Sequence, residues 1–368
     1  MVEGGHELQG HGGAQVRREL ELYWSDHVIL NPPMHRRVMW ERSNQAALRG
    51  ALADFTPDVV SVWAMGAMSF GLLTTVAENH IPTVLVIWDE WPVYGPSVDA
   101  WARPFRSRPV AGRVARALTR LPTSLPDLDS IGPACFASAF LRDAVRDRSP
   151  WRFPAASVVH LGIDQKGFPL TEASDREWRW RLLYVGRIDS RKGIDTVIRA
   201  LPLCPADATL VVCGTGDDSY RVELERLGDA LGVGDRVRFT SAPRSELAGR
   251  YAAADVVVFP SIWEEPFGLV PLEAMSCGTP LVATAVGGAA EFLDDGENCL
   301  TFTPGDPEVL AAMLSRLAGD PELRARIVAG GTRTADAFGV DELADALEAV
   351  HASVGRQPPS QVADRQPG

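Results

Sequence analysis

Two stretches in the second half of this 368-residue chain carry the residue types of a polyanion site. The first is Gly186-Arg187-Ile188-Asp189-Ser190-Arg191-Lys192-Gly193, which follows the apolar run Leu182-Leu183-Tyr184-Val185. Arg187 comes directly after the glycine that ends the run, and Lys192 precedes a glycine that opens a helix. Both cations can therefore converge on one anion above a sheet edge. A solvated basic loop is the plainer reading. Against it stands a count: of 36 basic residues only Lys166 and Lys192 are lysine. A lysine that persists against so strong a preference for arginine marks a place for a compact ammonium.

The second stretch runs from Pro260 through Glu265-Pro266-Phe267-Gly268-Leu269-Val270 to Glu273 and Met275. It follows the strongest strand candidate and enters a helix near Gly268, whose free N–H groups suit a phosphate. Glu265 lies before this helix and Glu273 inside it. Carboxylates repel phosphate but accept hydrogen bonds from hydroxyls, which points to sugar rings. A carboxylate favoured by the helix dipole explains Glu265 alone, but not its coupling to the basic loop. Together the two stretches describe a pocket for a nucleoside diphosphate joined to a sugar.

The elements that must position these residues follow an alternating pattern of β-branched runs and amphipathic stretches, the mark of a parallel sheet covered by helices. Strands are predicted at 182–186, 209–214, 236–240, 255–260, 280–284 and 298–302, and helices at 194–201, 220–231, 245–253, 268–276, 307–318, 321–330 and 340–354. The first half shows the same alternation, with strands at 57–65, 82–88, 134–138 and 157–162 and helices at 39–53, 69–79 and 139–148. The expected division is an α/β domain over 1–164, a linker at 165–180, a second α/β domain over 181–354 and a disordered tail at 355–368. In such sheets ligands sit at the C-terminal strand ends, and with two domains the natural site is a cleft between them.

Composition excludes several classes. Up to Asp164 there are 16 Arg against 17 acidic residues, and from Gln165 onward 20 basic against 31 acidic, so the net charge of −12 divides as −1 and −11. Neither half offers the positive surface that nucleic acid needs. No run of apolar residues reads as a membrane span, and the start lacks a signal peptide's order. Five widely spaced cysteines indicate neither a disulfide framework nor a zinc site. A cytoplasmic setting is expected, and the arginine bias is that of a GC-rich bacterium.

The motifs in order, G-R-x4-K-G, then E-P-F-G-L-V-P-L-E with its two Glu separated by seven residues, then Gly287-Gly288-Ala289-Ala290-Glu291, resemble the family-4 retaining glycosyltransferases of GT-B fold, also called group 1. The likeness extends back to Ala134–Val145 and to Val158–Asp164. It implies two doubly wound Rossmann-like domains facing a cleft, and transfer of a sugar from a nucleotide diphosphate to an acceptor hydroxyl with retention. Arg187 and Lys192 would neutralise the leaving diphosphate, aided by Gly186 and the backbone of Phe267, Gly268, Leu269 and Val270. Glu265 would hold sugar hydroxyls and Glu273 the ribose, with no metal required. The base would lie near the end of strand 236–240. Two other readings are a nucleotide-sugar epimerase of related fold, disfavoured by the spacing of the E-P-F-G…E motif, and a nucleotide-sugar-binding protein without turnover.

The chain departs from that family in two places. Gly5-His6-Glu7-Leu8, which in relatives follows an opening strand and Gly-rich loop, here stands at the start, so the first βα unit is expected to be missing, with Gly12-Gly13 a poor substitute. After strand 82–88 the residues are Trp88-Asp89-Glu90-Trp91 where relatives carry a histidine that contacts the sugar. Trp88 then packs structurally or lines the acceptor side, and Asp89 assists the acceptor or caps a helix. Trp63, Met65, Met68 and Tyr94 are either acceptor-lining or core. Trp101–Arg120 holds six Arg and no acid, and reads either as a solvated basic face or lid, or as an acceptor or membrane-surface patch, since several members of the family it resembles act on lipid-linked acceptors; the expected acceptor is a small molecule, a glycan or a lipid-linked group.

Overall fold

The computed structural model describes residues 16–25, 28–171 and 177–355. The strands are β1 (Trp24–Ser25), β2 (Val28–Ile29), β3 (Val60–Val62), β4 (Thr83–Ile87), β5 (Ala134–Phe136), β6 (Ala156–Val158), β7 (Arg181–Val185), β8 (Thr209–Cys213), β9 (Val237–Thr240), β10 (Val256–Phe259), β11 (Leu281–Ala283) and β12 (Leu300–Thr301). The helices are α1 (Met34–Phe55), α2 (Gly71–Glu78), α3 (Trp91–Val98), α4 (Arg103–Arg106), α5 (Pro109–Thr119), α6 (Leu128–Ile131), α7 (Ala139–Arg148), α8 (Ile194–Ala200), α9 (Asp218–Ala230), α10 (Arg244–Ala253), α11 (Leu269–Ser276), α12 (Pro307–Gly319), α13 (Pro321–Asp336) and α14 (Val340–Gly355). Two compact units result. One holds the described residues of Met1–Ala134, Val145–Ala155 and His351–Gly368, and the other Cys135–Ala144 with the described residues of Ala156–Val350.

The second unit is built on a six-stranded sheet of order β12-β11-β10-β7-β8-β9, with every pairing parallel. Alternate residues Leu182, Tyr184, Leu210, Val212, Val256 and Val258 point to one face and form a core with Val197, Leu201, Leu224, Leu314 and Ile327 of the covering helices. Their neighbours Leu183, Val257 and Leu281 are buried as well. Both faces are thus covered, which is why these strands read as unbroken apolar runs rather than alternations. Asp255 fastens the start of the sheet, accepting from the backbone N–H groups of Arg179 and Arg181 at 3.0 and 2.9 Å and from the Arg181 guanidinium at 2.8 Å.

Three expectations change in this unit. The strand expected at 298–302 shrinks to β12, because the Asn298 amide turns the chain, accepting from Asp294 N–H at 2.8 Å and donating to Phe292 O at 2.7 Å. The helix expected to stop at 330 continues to Asp336, since Gly330 and Gly331 are packing residues. A β-carbon on Gly330 would lie 2.0 Å from Glu297 O, and one on Gly331 would lie 3.0 Å from the Met275 side chain. The segment 165–180 is held at its described ends: Phe168 is buried and its carbonyl accepts from Ser276 at 2.6 Å, while Trp178 and Trp180 pack on the sheet core. Residues 172–176 lie outside the described residues, as do Gly5–Leu8, Gly12-Gly13 and the expected tail beyond Gly355.

The first unit holds β3 and β4, paired in parallel. All five residues of β4 are buried. The predicted strand 57–65 contracts to β3, and α1 begins five residues before its predicted start at 39. Its buried residues are Arg37, Glu41, Asn44 and Gln45, a polar face that apolar periodicity does not register. Each polar group is matched: Tyr23 Oη donates to Glu41 at 2.7 Å, Arg37 to Ala100 O at 2.6 Å, and Gln45 to Gly71 O at 2.9 Å. No helix among the described residues is long and apolar enough to cross a membrane.

Burial pushes the Glu41 carboxyl up to about 7, with the Tyr23 hydrogen bond opposing. Between its open-chain value of 4.5 and this figure the folded chain holds a proton that the unfolded chain has released. Stability from this group is therefore complete below about pH 4.5 and is lost as the pH rises through 7, by about 3 kcal/mol in all. Glu41→Gln keeps the acceptor for Tyr23 and removes the titration. The variant is expected to melt about 5 °C higher than the parent at pH 8 and to match it near pH 4.5. Melting curves across that range are the check, and a difference independent of pH would overturn the account.

Candidate functional site

The site of the second unit is assembled at the C-terminal ends of β7 and β10. β7 is followed by Gly186, whose φ of +147° lets the chain turn away from the sheet, and a β-carbon there would crowd the Tyr184 hydroxyl at 2.9 Å. Tyr184 Oη donates to Arg187 O at 2.7 Å, fixing the loop from below. The next turn, Ser190–Lys192, is capped by Asp189, which accepts from Arg191 N–H at 3.0 Å and from its guanidinium at 2.6 Å. Those bonds to the Arg191 side chain hold the Asp189 carboxyl down at about 2. Gly193 follows in the left-handed region at φ +67°, where a β-carbon would lie 2.1 Å from Pro260 O. Only glycine admits this approach, and it brings Lys192 beside the loop that leaves β10.

Lys192 Nζ pairs there with Glu265 Oε1, both side chains being largely buried. Ser261 Oγ donates to the same oxygen at 3.0 Å. Trp263 lies under the two cations, with Arg191 at 4.7 Å and Lys192 at 5.2 Å from a ring centroid, and the N–H groups of Ile262 and Trp263 donate to Arg191 O at 3.0 and 3.2 Å. The two motifs predicted to cooperate are joined by an ion pair, main-chain bonds and one aromatic ring.

Beyond Glu265 the chain turns through Gly268, at φ +97°, into α11, whose first turn has no side-chain cap. Its leading residues line the same pocket of about 150 Å³, at the helix end where backbone N–H groups lack intrahelical acceptors. Gly186, Arg187, Lys192, Glu265, Gly268, Leu269 and Val270 all line it. Phe267 and Glu273 do not. The Phe267 ring is buried among His160, Phe292 and Phe338. Glu273 is buried on α11, accepting from Arg244 at 2.9 Å and from Tyr251 Oη at 2.8 Å. Burial raises its carboxyl above the usual range, and the bonds to Tyr251 and Arg244 offset part of that rise.

The glycine pair of the third motif serves the same loop. Gly288 N–H donates to Glu265 O at 2.7 Å, and β-carbons on Gly287 and Gly288 would lie 2.4 Å from Glu265 O and 2.2 Å from Pro266 O. Glu291 accepts from Phe140 N–H at 2.8 Å and contacts His160 Nε2 at 3.0 Å. Ser138 Oγ donates to Pro266 O at 2.5 Å.

Sequence reasoning missed Ser261, Trp263, Tyr251 and Arg244. Arg244 had a signal: it is the first residue of α10, and a cation there opposes the helix dipole, so a carboxylate partner is implied. In the first unit, Asp89 stands just ahead of α3, accepting from Trp91 N–H at 2.9 Å and Tyr94 Oη at 3.0 Å. Trp88 packs edge-on against Trp63 with centroids 4.6 Å apart. Met65 is core, whereas Trp63 and Tyr94 are exposed.

Residues 172–334 match the family of glycosyl transferases group 1. Among curated relatives, a D-inositol 3-phosphate glycosyltransferase of Xylanimonas cellulosilytica is 36% identical over 64% of this chain and 51% of its own length. One of Thermomonospora curvata is 42% identical over 54% and 48%. The chain spans about half the length of the curated relatives it matches. Among solved structures, sucrose-phosphate synthase from Thermosynechococcus elongatus is similar at a TM-score of 0.65 and 23% identity, over 88% of this chain and 80% of that one. Anabaena HepE in complex with UDP gives 0.65 at 20% identity, over 88% and 91%. The fold class is α/β of GT-B type, with two Rossmann-like parallel-sheet units.

Proposed function

We propose that this chain is a family-4 glycosyltransferase that moves a sugar from a nucleotide diphosphate to an acceptor hydroxyl, with retention at the anomeric carbon. The carrying observation is the pairing of Lys192 with Glu265 beside the uncapped start of α11, within a region that matches glycosyl transferases group 1. A cation and free N–H groups suit a diphosphate, and a buried carboxylate suits hydroxyls. As the glycosidic bond breaks, negative charge grows on the leaving diphosphate. Arg187, Lys192 and the α11 N–H groups stabilise it in this reading, which is where most rate enhancement arises. In this reading they supply the charge that a divalent ion supplies elsewhere, and the reaction needs no metal. Glu265 exchanges its lysine for sugar hydroxyls. Glu273 does not line the pocket and takes the ribose only by exchanging Arg244 for it, as Glu265 exchanges its lysine. A uridine diphosphate donor is the first to try, because HepE binds UDP.

Thermal shift against UDP-, GDP-, ADP- and dTDP-sugars tests this directly, since a ligand at a hundred times its Kd raises stability by about 2.7 kcal/mol. One donor is expected to stand out and to be hydrolysed slowly without acceptor, unchanged by a chelator. Binding with no turnover under any acceptor would leave a binding protein instead.

A further inference from the structure

We infer that α5 is a docking surface for an anionic lipid bilayer. The helix buries only Gly112, with Ala115 and Thr119 half-covered beside it, and turns the rest outward. A β-carbon on Gly112 would lie 3.2 Å from Phe105 and 3.4 Å from Thr123, so this edge is pressed against the unit. On the opposite side Val110, Val114 and Leu118, four residues apart, are exposed by 63, 54 and 77%. Ala111 and Ala117 are exposed next to them, so the stripe is continuous. Arg113, Arg116 and Arg120 fall together along one flank of that stripe, with Arg116 also meeting Glu78 at 3.0 Å.

The charge decides the occupant. Trp101–Arg120 carries six arginines and no acid in a chain whose net charge is −12, so this segment offers local positive charge to a negative surface. Size argues against a protein partner, because an 11-residue helix is only about 16 Å long and its stripe is far from the roughly 800 Å² that a stable interface buries per side. A bilayer needs less. Three apolar side chains inserted at headgroup depth with arginines reaching lipid phosphates give weak, reversible, salt-sensitive attachment. Trp101 plays no direct part, being buried with its Nε1 donating to Pro122 O at 2.5 Å.

Co-sedimentation of the full chain with vesicles tests the assignment independently of the reaction. Binding is expected with phosphatidylcholine vesicles containing about a third phosphatidylglycerol and not with phosphatidylcholine alone, and half-molar salt should abolish it. Val114→Asp with Leu118→Asp should weaken binding at least tenfold, and Arg113→Gln with Arg120→Gln about as much. All four side chains face solvent, so melting temperatures should stay within about a degree. Binding to neither vesicle, or binding unchanged by both variants, would overturn the assignment. So would light scattering that shows a dimer lost in the aspartate variant, because a second copy would then cover the stripe.

Discussion

Lys192→Ala is expected to lower sugar transfer by on the order of a thousandfold, as the loss of a group that meets charge developing on the leaving diphosphate should. The same substitution leaves Glu265 buried without its cation, and breaking a buried pair costs about 3 kcal/mol. Two effects are thus mixed in one variant. Adding Glu265→Gln separates them, since the amide still accepts from Ser261 and no longer needs a counter-charge. The double variant should recover most of the lost stability and none of the lost turnover. Recovery of turnover, or full activity in Lys192→Ala alone, would remove Lys192 from the chemistry. Lys192→Arg is the sharper comparison. If guanidinium works as well as ammonium, the rarity of lysine in this chain says nothing about the site.

Gly287→Ala with Gly288→Ala is the second large effect. At Gly287 the backbone is left-handed at φ +63°, which costs a residue with a β-carbon about 1 kcal/mol, and both new methyl groups would press on the main chain of Glu265 and Pro266. Relief requires that loop to shift, with the bond from Gly288 N–H to Glu265 O among those at risk. A destabilisation of about 3 kcal/mol and a fall in melting temperature of about 5 °C are expected. Donor affinity should fall further than stability, because the displaced loop carries the carboxylate. Calorimetry with and without UDP-sugar reads both quantities, and a variant that melts and binds like the parent would show the loop to be tolerant.

Most of the second unit was legible in the order of residues. Its strands are buried on both faces, so they appear as plain apolar runs such as Val256–Phe259, and its pocket glycines stand at strand ends where a turn needs them. The first unit was harder to read because α1 buries arginine, glutamate, asparagine and glutamine, whose fitness depends on Tyr23, Gly71 and Ala100, partners remote in the chain. Gly330 and Gly331 misled for a related reason: glycine inside a helix resembles a stop until the neighbour that needs the space is known. In the site, the polarity of Glu265 and Glu273 pointed to hydroxyl ligands, but the sequence carried no sign that Lys192 and Tyr251 would already occupy them. Occupation by internal partners is a tertiary fact.

Lys192 and Glu265 satisfy one another within the pocket, and that sets terms for what can enter. A lone anion that draws the lysine away strands the carboxylate, and a lone polyol that engages the carboxylate strands the lysine. A molecule whose phosphate meets the lysine and whose transferable sugar meets the carboxylate compensates both losses at once. Under the proposed reaction this arrangement acts as a coincidence detector: it favours the intact donor over its own nucleotide product. Once the sugar has left, the lysine and glutamate recombine and help to expel what remains.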